Sequence, residues 1–260
     1  MKRVIIALAA MLFAASATMA QTDPRILNHL SVGANVGTMG IGADVAMPLT
    51  RFLDIEAGFA MLPRIKFNSG ANLNISSQYY QGPTNFDIQG KTNMVNGKLI
   101  FNVMPIPVFR TFHVSVGAYI GNGGIIDIYN KEEGALMAVN NANSQIRAWN
   151  EAHPGDQKEL LGLKVGDYLL EPDANGNIDA SASVNKFKPY VGLGFGKTVP
   201  NRRVGFKCDL GCVFWGSPSL NCNGVDLTKS NLDGDGGAIK FISKLKVYPV
   251  LNFRICGRIF

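Results

Sequence analysis

The chain has 260 residues, of which 47% are hydrophobic and 17% are charged. Its formal net charge is +6, and it falls to +4 without Lys2 and Arg3, because 23 basic residues then face 19 acidic ones. This mild surplus, with no basic cluster, argues against a nucleic-acid-binding protein. Beyond the N-terminal segment, no stretch approaches the roughly 18 consecutive apolar residues of a membrane helix, so a membrane location would require β-strands.

The N-terminal residues MKRVIIALAAMLFAASATMA have the organisation of a secretory signal peptide. Lys2 and Arg3 precede an apolar run from Val4 to Ala15, and small residues follow as far as Ala20. We therefore expect residues 1–20 to be removed on export. Residues 21–260 are expected to form one domain, since a chain of this size fits a single all-β unit.

Eight segments with alternating apolar and polar residues follow, and this period of two predicts β-strands. The segments are His29 to Gly37, Gly40 to Pro48, Phe52 to Lys66, Val95 to Met104, Thr111 to Gly121, Phe187 to Lys197, Val204 to Trp215 and a final strand from Leu251. An alternative is that Leu30 to Pro48 forms one long strand, which would leave seven.

The connections between these segments alternate in length. Residues 48–52, 105–110 and 199–203 are short, proline-marked turns, and residues 68–90, 129–186 and 216–244 are long loops. Short and long connections on opposite sides of an even number of strands are typical of a closed exported barrel.

The longest loop, about 129–186, has local structure of its own. Residues 131–150 predict a helix, although a glycine and several asparagines weaken the pattern. Residues 167–170 and 178–184 flank the turn sequence PDANGN and predict a hairpin above the barrel.

The polar face of the strands carries charges and many glycines. The interior of an eight-stranded barrel admits only side chains, so small residues and paired charges fit there while the apolar face meets lipid. An unpaired buried ion is costly, and we therefore expect opposite charges within reach of one another. The predicted lumen network comprises Asp44, Asp54, Glu56, Lys98, Lys188, Lys207, Asp209, Arg254 and Arg258. A soluble exported sandwich, the alternative, needs no such pairing.

The C-terminal segment LNFRICGRIF ends in Phe260 and carries arginines on one face of an alternating stripe. It resembles the last strand of a bacterial outer-membrane barrel, whose terminal aromatic residue is similar to the signal read by the barrel insertion machinery. The strings VGTMGIGADVAMPL, PYVGLGFGKTVPNRRVGFKCDLGCVFWG and KVYPVLNF are similar to small Gram-negative barrels of the OmpA transmembrane-domain and OmpW type. One departure is that Arg258 holds a position that such barrels keep apolar, and a bulge near Gly257 would restore the phase.

Two polar residues invite a catalytic reading, because barrels of this size include enzymes that act on outer-membrane lipid. His113 and Ser115 lie two apart on one strand, as a base and a nucleophile would. Catalysis would also need an orienting group and an oxyanion site. We prefer to interpret both as polar lumen residues.

Other motifs receive structural interpretations. The segment from Asp173 to Asp179 fits a turn better than a calcium loop, because Ile178 and Val184 stand where an EF-hand needs glycine and glutamate. Turn chemistry also explains the segment LDGDGG around Asp233 and Asp235 better. The glycines of GLGFG, residues 192–196, are expected to make room in the lumen. Cys208 and Cys212 lie too far apart on one strand for a disulfide, while Cys222 and Cys256 are left open. Interfacial aromatic girdles are expected to contain Tyr119, Tyr190, Trp215 and Tyr248.

These observations, with the resemblance, predict an all-β protein: a single eight-stranded antiparallel transmembrane β-barrel with long extracellular loops in the outer membrane. We expect no enzymatic activity and no cofactor or metal. The expected role is structural or surface-binding, with outer-membrane lipids around the barrel and an unidentified extracellular ligand on the loops. One alternative is OmpW-like passage or binding of a small hydrophobic molecule, and a further one is a lipid-modifying enzyme that uses His113 and Ser115.

Overall fold

The computed structural model describes residues 29–74, 80–105, 110–165, 168–227 and 246–259. The expected signal peptide and the terminal Phe260 lie outside these ranges. The strands are β1 Ser31–Gly37, β2 Gly40–Thr50, β3 Leu53–Met61, β4 Lys66–Leu73, β5 Asn85–Thr92, β6 Val95–Val103, β7 Phe112–Gly121, β8 Gly124–Asn130, β9 Leu163–Val165, β10 Tyr168–Leu170, β11 Asp179–Ser183, β12 Phe187–Gly196, β13 Val204–Phe214, β14 Ser219–Cys222, β15 Val225–Asp226 and β16 Val247–Arg258. One helix, α1, spans Met137–Ala152.

Eight of these strands close into an antiparallel barrel in the order β1-β16-β13-β12-β7-β6-β3-β2. They are the eight segments that alternation predicts, so the predicted fold class is confirmed. The first two strands are separate, because Thr38 and Met39 form the turn between them and Gly40 has a φ of 105°, which glycine adopts without strain. The alternative of one long first strand is therefore wrong.

Several strand ends differ from the predicted bounds. The third segment ends at Met61, just before Pro63, instead of continuing to Lys66, where β4 begins. The last strand starts at Val247, earlier than predicted. It pairs with β1 and β13 without a register shift, so no bulge near Gly257 restores the phase, and the departure at Arg258 remains. Arg258 therefore shares the inward register of Arg254.

The outward face of the barrel is apolar along its whole circumference. Every outward position of the eight strands holds an aliphatic, aromatic or cysteine side chain, a glycine or a proline, and none holds a charge. Large side chains are left uncovered, with Phe206 at 69% and Leu210 at 64% exposed. The polar and charged side chains of these strands therefore all point into the barrel.

The three long connections leave the barrel at one end, which we call the loop side; the opposite end is the short-turn side. Their strands form a second eight-stranded sheet in the order β10-β9-β4-β5-β8-β11-β14-β15. The predicted hairpin of residues 167–170 with 178–184 is wrong, because β10 pairs with β9, and β11 pairs with β8 and β14.

The predicted helix is present as α1, with a start six residues later than expected. Its buried face, formed by Val139, Ala142 and Ile146, packs on the second sheet in one hydrophobic core with Leu163 and Ala180. We call α1 and the second sheet the loop-side module. Within the described ranges, no helix is long and apolar enough to cross a membrane.

Candidate functional site

A continuous chain of buried polar side chains runs through the barrel lumen. In order of contact, it comprises Arg254, Asp44, Lys98, Glu56, Lys207, Asp209 and His113. The three carboxylates stand opposite two ammonium groups and one guanidinium group. The chain is therefore close to electrically neutral, as burial of so many charges requires.

Glu56 lies at the centre of this network. Its carboxylate accepts from Lys98 Nζ at 2.6 Å and from Lys207 Nζ at 2.8 Å, and all three side chains are 1% exposed. Strands β3 and β13, which carry Glu56 and Lys207, are four strands apart in either direction around the barrel. This ion pair therefore crosses the full width of the lumen.

Three contacts of the network each pass over a glycine on the strand between their partners. Arg254 reaches Asp44 over Gly33, Lys98 reaches Asp44 over Gly58, and His113 reaches Asp209 over Gly194. A β-carbon would collide with Arg254 at Gly33, with Asp44 at Gly58, and with both His113 and Asp209 at Gly194. The lumen glycines make room for the ionic contacts, as the interpretation of GLGFG requires.

Arg254 is 1% exposed and has a partner at each guanidinium nitrogen. Nε donates to Asp44, Nη1 donates to the Thr198 carbonyl at 2.6 Å, and Nη2 donates to Ser31 Oγ at 3.3 Å. The second Asp44 oxygen accepts from Lys98 and from Asn35 Nδ2, both at 2.8 Å. Such complete satisfaction is what makes a buried ion pair tolerable.

Three of the predicted network residues lie elsewhere. Lys188 is buried and donates to Asn96 Oδ1 at 2.7 Å instead of to a carboxylate. Asp54 is 7% exposed near the short-turn side, and no described cation lies within ion-pair distance of it. Arg258 is half-buried at the rim of the same end, where it donates to the Asn201 carbonyl at 3.0 Å. The prediction that Arg258 belongs to the lumen network is wrong, because β16 extends past the buried ion pairs before it reaches this residue.

The candidate catalytic residues His113 and Ser115 are both 1% exposed. His113 Nε2 lies 2.8 Å from Asp209 Oδ1, whereas Ser115 Oγ donates to Asn102 Oδ1 at 2.7 Å. The hydroxyl therefore points to an amide and not to the imidazole. This arrangement provides no activated nucleophile open to a substrate.

An apolar layer fills the loop-side end of the lumen above the ionic network. Tyr119 and Tyr190 meet edge to face at 5.7 Å, and Trp215 stacks on Tyr248 at 4.4 Å. The layer also contains Met39, Ala60, Met94, Ile100, Val184, Val213 and Val250. The prediction that these aromatic residues form outer girdles is wrong, because the inward register of each strand turns them into the barrel.

The loop-side module carries a cavity of about 190 Å³ on its surface. Arg147 and Glu171, which pair at 2.9 Å, border it together with Leu169, Asn223 and Val225. The cavity offers both signs of charge and apolar walls.

All four cysteines are free. Cys208 and Cys212 lie on the outward face, and Cys256 is buried on the inward face. Cys222 is buried in the loop-side module, and this burial raises the pKa of its thiol to about 11. The thiol is therefore protonated at neutral pH and poorly reactive.

The acidic turn around Asp173 is held by its own backbone. Asp173 Oδ1 accepts from the backbone N–H groups of Asn175 at 2.9 Å and Asn177 at 2.7 Å. This is the turn chemistry predicted from the sequence. Asp233 and Asp235 lie outside the described residues, among which no group of three or more His, Cys, Asp or Glu side chains is arranged to hold a metal.

Sequence reasoning missed two parts of these sites. Asn35, Asn96 and Asn102 supply hydrogen bonds to the buried charges, and their inward register was the available signal. The second part is the sheet of the loop-side module. The sequence indicates it only weakly, because its strands are short and pair between separate loops.

No protein-family model matches the chain, and no curated protein is significantly similar to it. Among solved structures it is similar to CarO of Acinetobacter baumannii, with 16% identity and a TM-score of 0.44 over 89% of this chain and 98% of that one. It is also similar to CarO2 of Acinetobacter baumannii, with 19% identity and a TM-score of 0.45 over 88% of this chain and 98% of that one. This likeness concerns the fold alone, and the barrel itself is established by the strand pairing described above.

Proposed function

We propose that this protein is an outer-membrane β-barrel without enzymatic activity. In this proposal the barrel is a closed anchor, and the loop-side module is the surface that binds an extracellular ligand or shields the envelope. The observation that carries it is the uncharged outward face of all eight strands. Such a continuous apolar surface is unfavourable in water, but it is well solvated by the hydrocarbon chains of a membrane.

The height of the apolar face supports membrane insertion. Strand β13 has 11 residues, with apolar or cysteine side chains outward from Val204 to Phe214. At about 3.3 Å per residue and a tilt of roughly 40°, such a strand rises by about 28 Å, close to the apolar band of outer-membrane barrels.

The filled lumen supports an anchoring role over passage of solutes. The Glu56–Lys207 pair spans the barrel, and the apolar layer covers it on the loop side. OmpW-like passage of a hydrophobic molecule would need an open apolar pocket in the lumen, and side chains of the apolar layer already occupy that space. A lipid-modifying role for His113 and Ser115 is disfavoured by their burial and by their separate partners.

Cell fractionation with gel migration before and after boiling tests the barrel proposal. We expect the protein in the outer-membrane fraction, with a folded form that migrates differently until it is heated. Recovery from the soluble periplasm without a heat-dependent shift would overturn the proposal.

Surface presentation is tested by labelling intact cells with a membrane-impermeant maleimide. Glu133→Cys lies on the exposed loop side, and Arg202→Cys lies on an exposed short turn. We expect only the Glu133→Cys variant to be labelled, with the wild-type chain as the background control. Labelling at position 202 alone would show that the short turns, and not the loop-side module, face the outside of the cell.

A further inference from the structure

Five arginines form what we call the short-turn rim: Arg51, Arg110, Arg202, Arg203 and Arg258. They come from all three short turns and from the end of β16, so they surround one mouth of the barrel. Arg51, Arg202 and Arg203 are exposed, and the other two are half-buried.

Within the described residues, no carboxylate forms an ion pair with a rim arginine. Among the described residues there, the acidic side chain is Asp54, which is buried inside the lumen at 7% exposure. No carboxylate of the described ranges lies within 4.0 Å of a rim guanidinium. The loop-side module differs, since its basic residues are interspersed with acidic ones, as in the Lys131–Asp87 and Arg147–Glu171 pairs.

Neutral contacts hold several rim side chains in place. Arg110 donates to the Arg51 carbonyl at 2.7 Å, which ties the second short turn to the first. Arg258 donates to the Asn201 carbonyl at 3.0 Å, which ties the last strand to the third short turn. The Arg51 guanidinium lies 5.9 Å from the Phe52 ring centre. These contacts position the cations without neutralising their charge.

The rim lies where the apolar face ends. Arg203 directly precedes Val204, which is 59% exposed on the outward face, and Arg258 precedes the 58% exposed Ile259. In a bilayer this is the level of the lipid headgroups. Guanidinium groups there match phosphate oxygens in charge and in hydrogen-bond geometry.

We propose that the short-turn rim binds the phosphate groups of anionic phospholipids in the adjacent leaflet. The inference rests on the proposed membrane insertion of the barrel. In the orientation usual for exported barrels, this leaflet is the periplasmic one. The rim would then fix the depth of the barrel from one side, while the loop-side module remains free of that contact.

Native mass spectrometry of the full chain tests this proposal. The protein is inserted into vesicles of phosphatidylcholine with phosphatidylglycerol, extracted in mild detergent, and the retained lipids are counted. We expect preferential retention of phosphatidylglycerol. The variant Arg51→Gln/Arg202→Gln/Arg203→Gln should lose most of this preference. We expect the ratio of retained phosphatidylglycerol to phosphatidylcholine to fall roughly fivefold for each arginine removed.

The matched control removes three exposed basic residues from the opposite end, as Arg64→Gln/Lys66→Gln/Lys164→Gln. We expect it to keep the wild-type preference, and the heat-dependent gel shift confirms that each variant is inserted. If the wild-type protein is inserted but retains both lipids equally, the rim proposal is overturned and the membrane proposal stands. Equal retention is the result expected if the rim instead bound a soluble acidic partner. Equal loss of preference in both triple variants would also overturn the rim proposal, whereas absence of the heat shift in the wild type would refute the membrane proposal.

Discussion

Glu56 accepts from two lysines that reach it from different walls of the barrel, so its charge compensates both. Glu56→Gln would leave Lys98 and Lys207 buried with less negative charge between them. Because an uncompensated buried charge is strongly destabilising, we expect a loss of about 3–5 kcal/mol in the free energy of unfolding. Urea titration of the folded protein in vesicles measures this change.

Glu133→Gln is the matched control for that substitution. It makes the same chemical change at an exposed position on the loop side, so its effect should stay within about 0.5 kcal/mol. Equal stability of the two variants would show that the ionic network does not hold the lumen together.

Cys222 provides a pH-dependent test of burial in the loop-side module. The folded pKa of about 11 lies above the ordinary value of 9.0. As pH rises between these values, the unfolded chain loses this proton first, so the stability contributed by the neutral thiol is present below about pH 9 and is lost toward about pH 11.

Alkylation by iodoacetamide, followed by peptide mapping of Cys222, measures this difference. We expect slow modification of the folded protein at about pH 8, with the rate rising toward about pH 11, while the urea-unfolded chain reacts with an ordinary thiol profile. Identical profiles in the folded and unfolded chains would contradict the burial of this thiol.

At the level of elements, the apolar face of helix α1 packs on the second sheet, and Asn143 bonds to the segment that precedes β9. Asn143 donates to the Leu161 carbonyl and accepts from the Leu161 N–H group, each at 2.7 Å. The Asn143 side-chain amide thus makes the same two hydrogen bonds with the Leu161 backbone that a neighbouring strand would make. It anchors the segment that leads into β9.

Ile146→Ala tests whether the module has a core separate from that of the barrel. Ile146 is 0% exposed, so the cavity left by truncation should cost the module about 2–5 kcal/mol. Hydrogen exchange in α1 should accelerate while the heat-dependent gel shift of the barrel persists. Gln145→Ala, at an exposed neighbouring position, should leave exchange unchanged, and loss of the gel shift in Ile146→Ala would show that the two cores are one unit.

For the whole molecule, the decisive question is which solvent meets the outward face. Leu210 lies near the middle of β13 and is 64% exposed. In a bilayer, Leu210→Arg would place a charge near the midplane and cost about 2–4 kcal/mol, whereas in water the same change would be nearly neutral. Unfolding in vesicles measures this cost.

Two further substitutions give a depth profile. Val204→Arg lies at the end of the same strand and should cost about 0–1 kcal/mol, and Val225→Arg on the loop-side module should cost little. A flat profile across the three positions would contradict lipid contact.

The sequence by itself determined the eight barrel strands, their inward and outward faces, and the side on which the long connections emerge. These properties follow from a period of two and from turn residues, both of which are local. The lumen charges could be identified in the same way, because register along one strand decides whether Lys98 or Asp209 points inward.

Only the tertiary structure decided which of those charges meet. Glu56 and Lys207 are 151 positions apart in sequence and become partners because closure of the barrel sets β3 opposite β13. The same closure leaves Arg258 at the rim and brings Tyr119 into contact with Tyr190. The second sheet likewise joins strands from three separate loops, and such pairing depends on contacts between distant segments that no local pattern records.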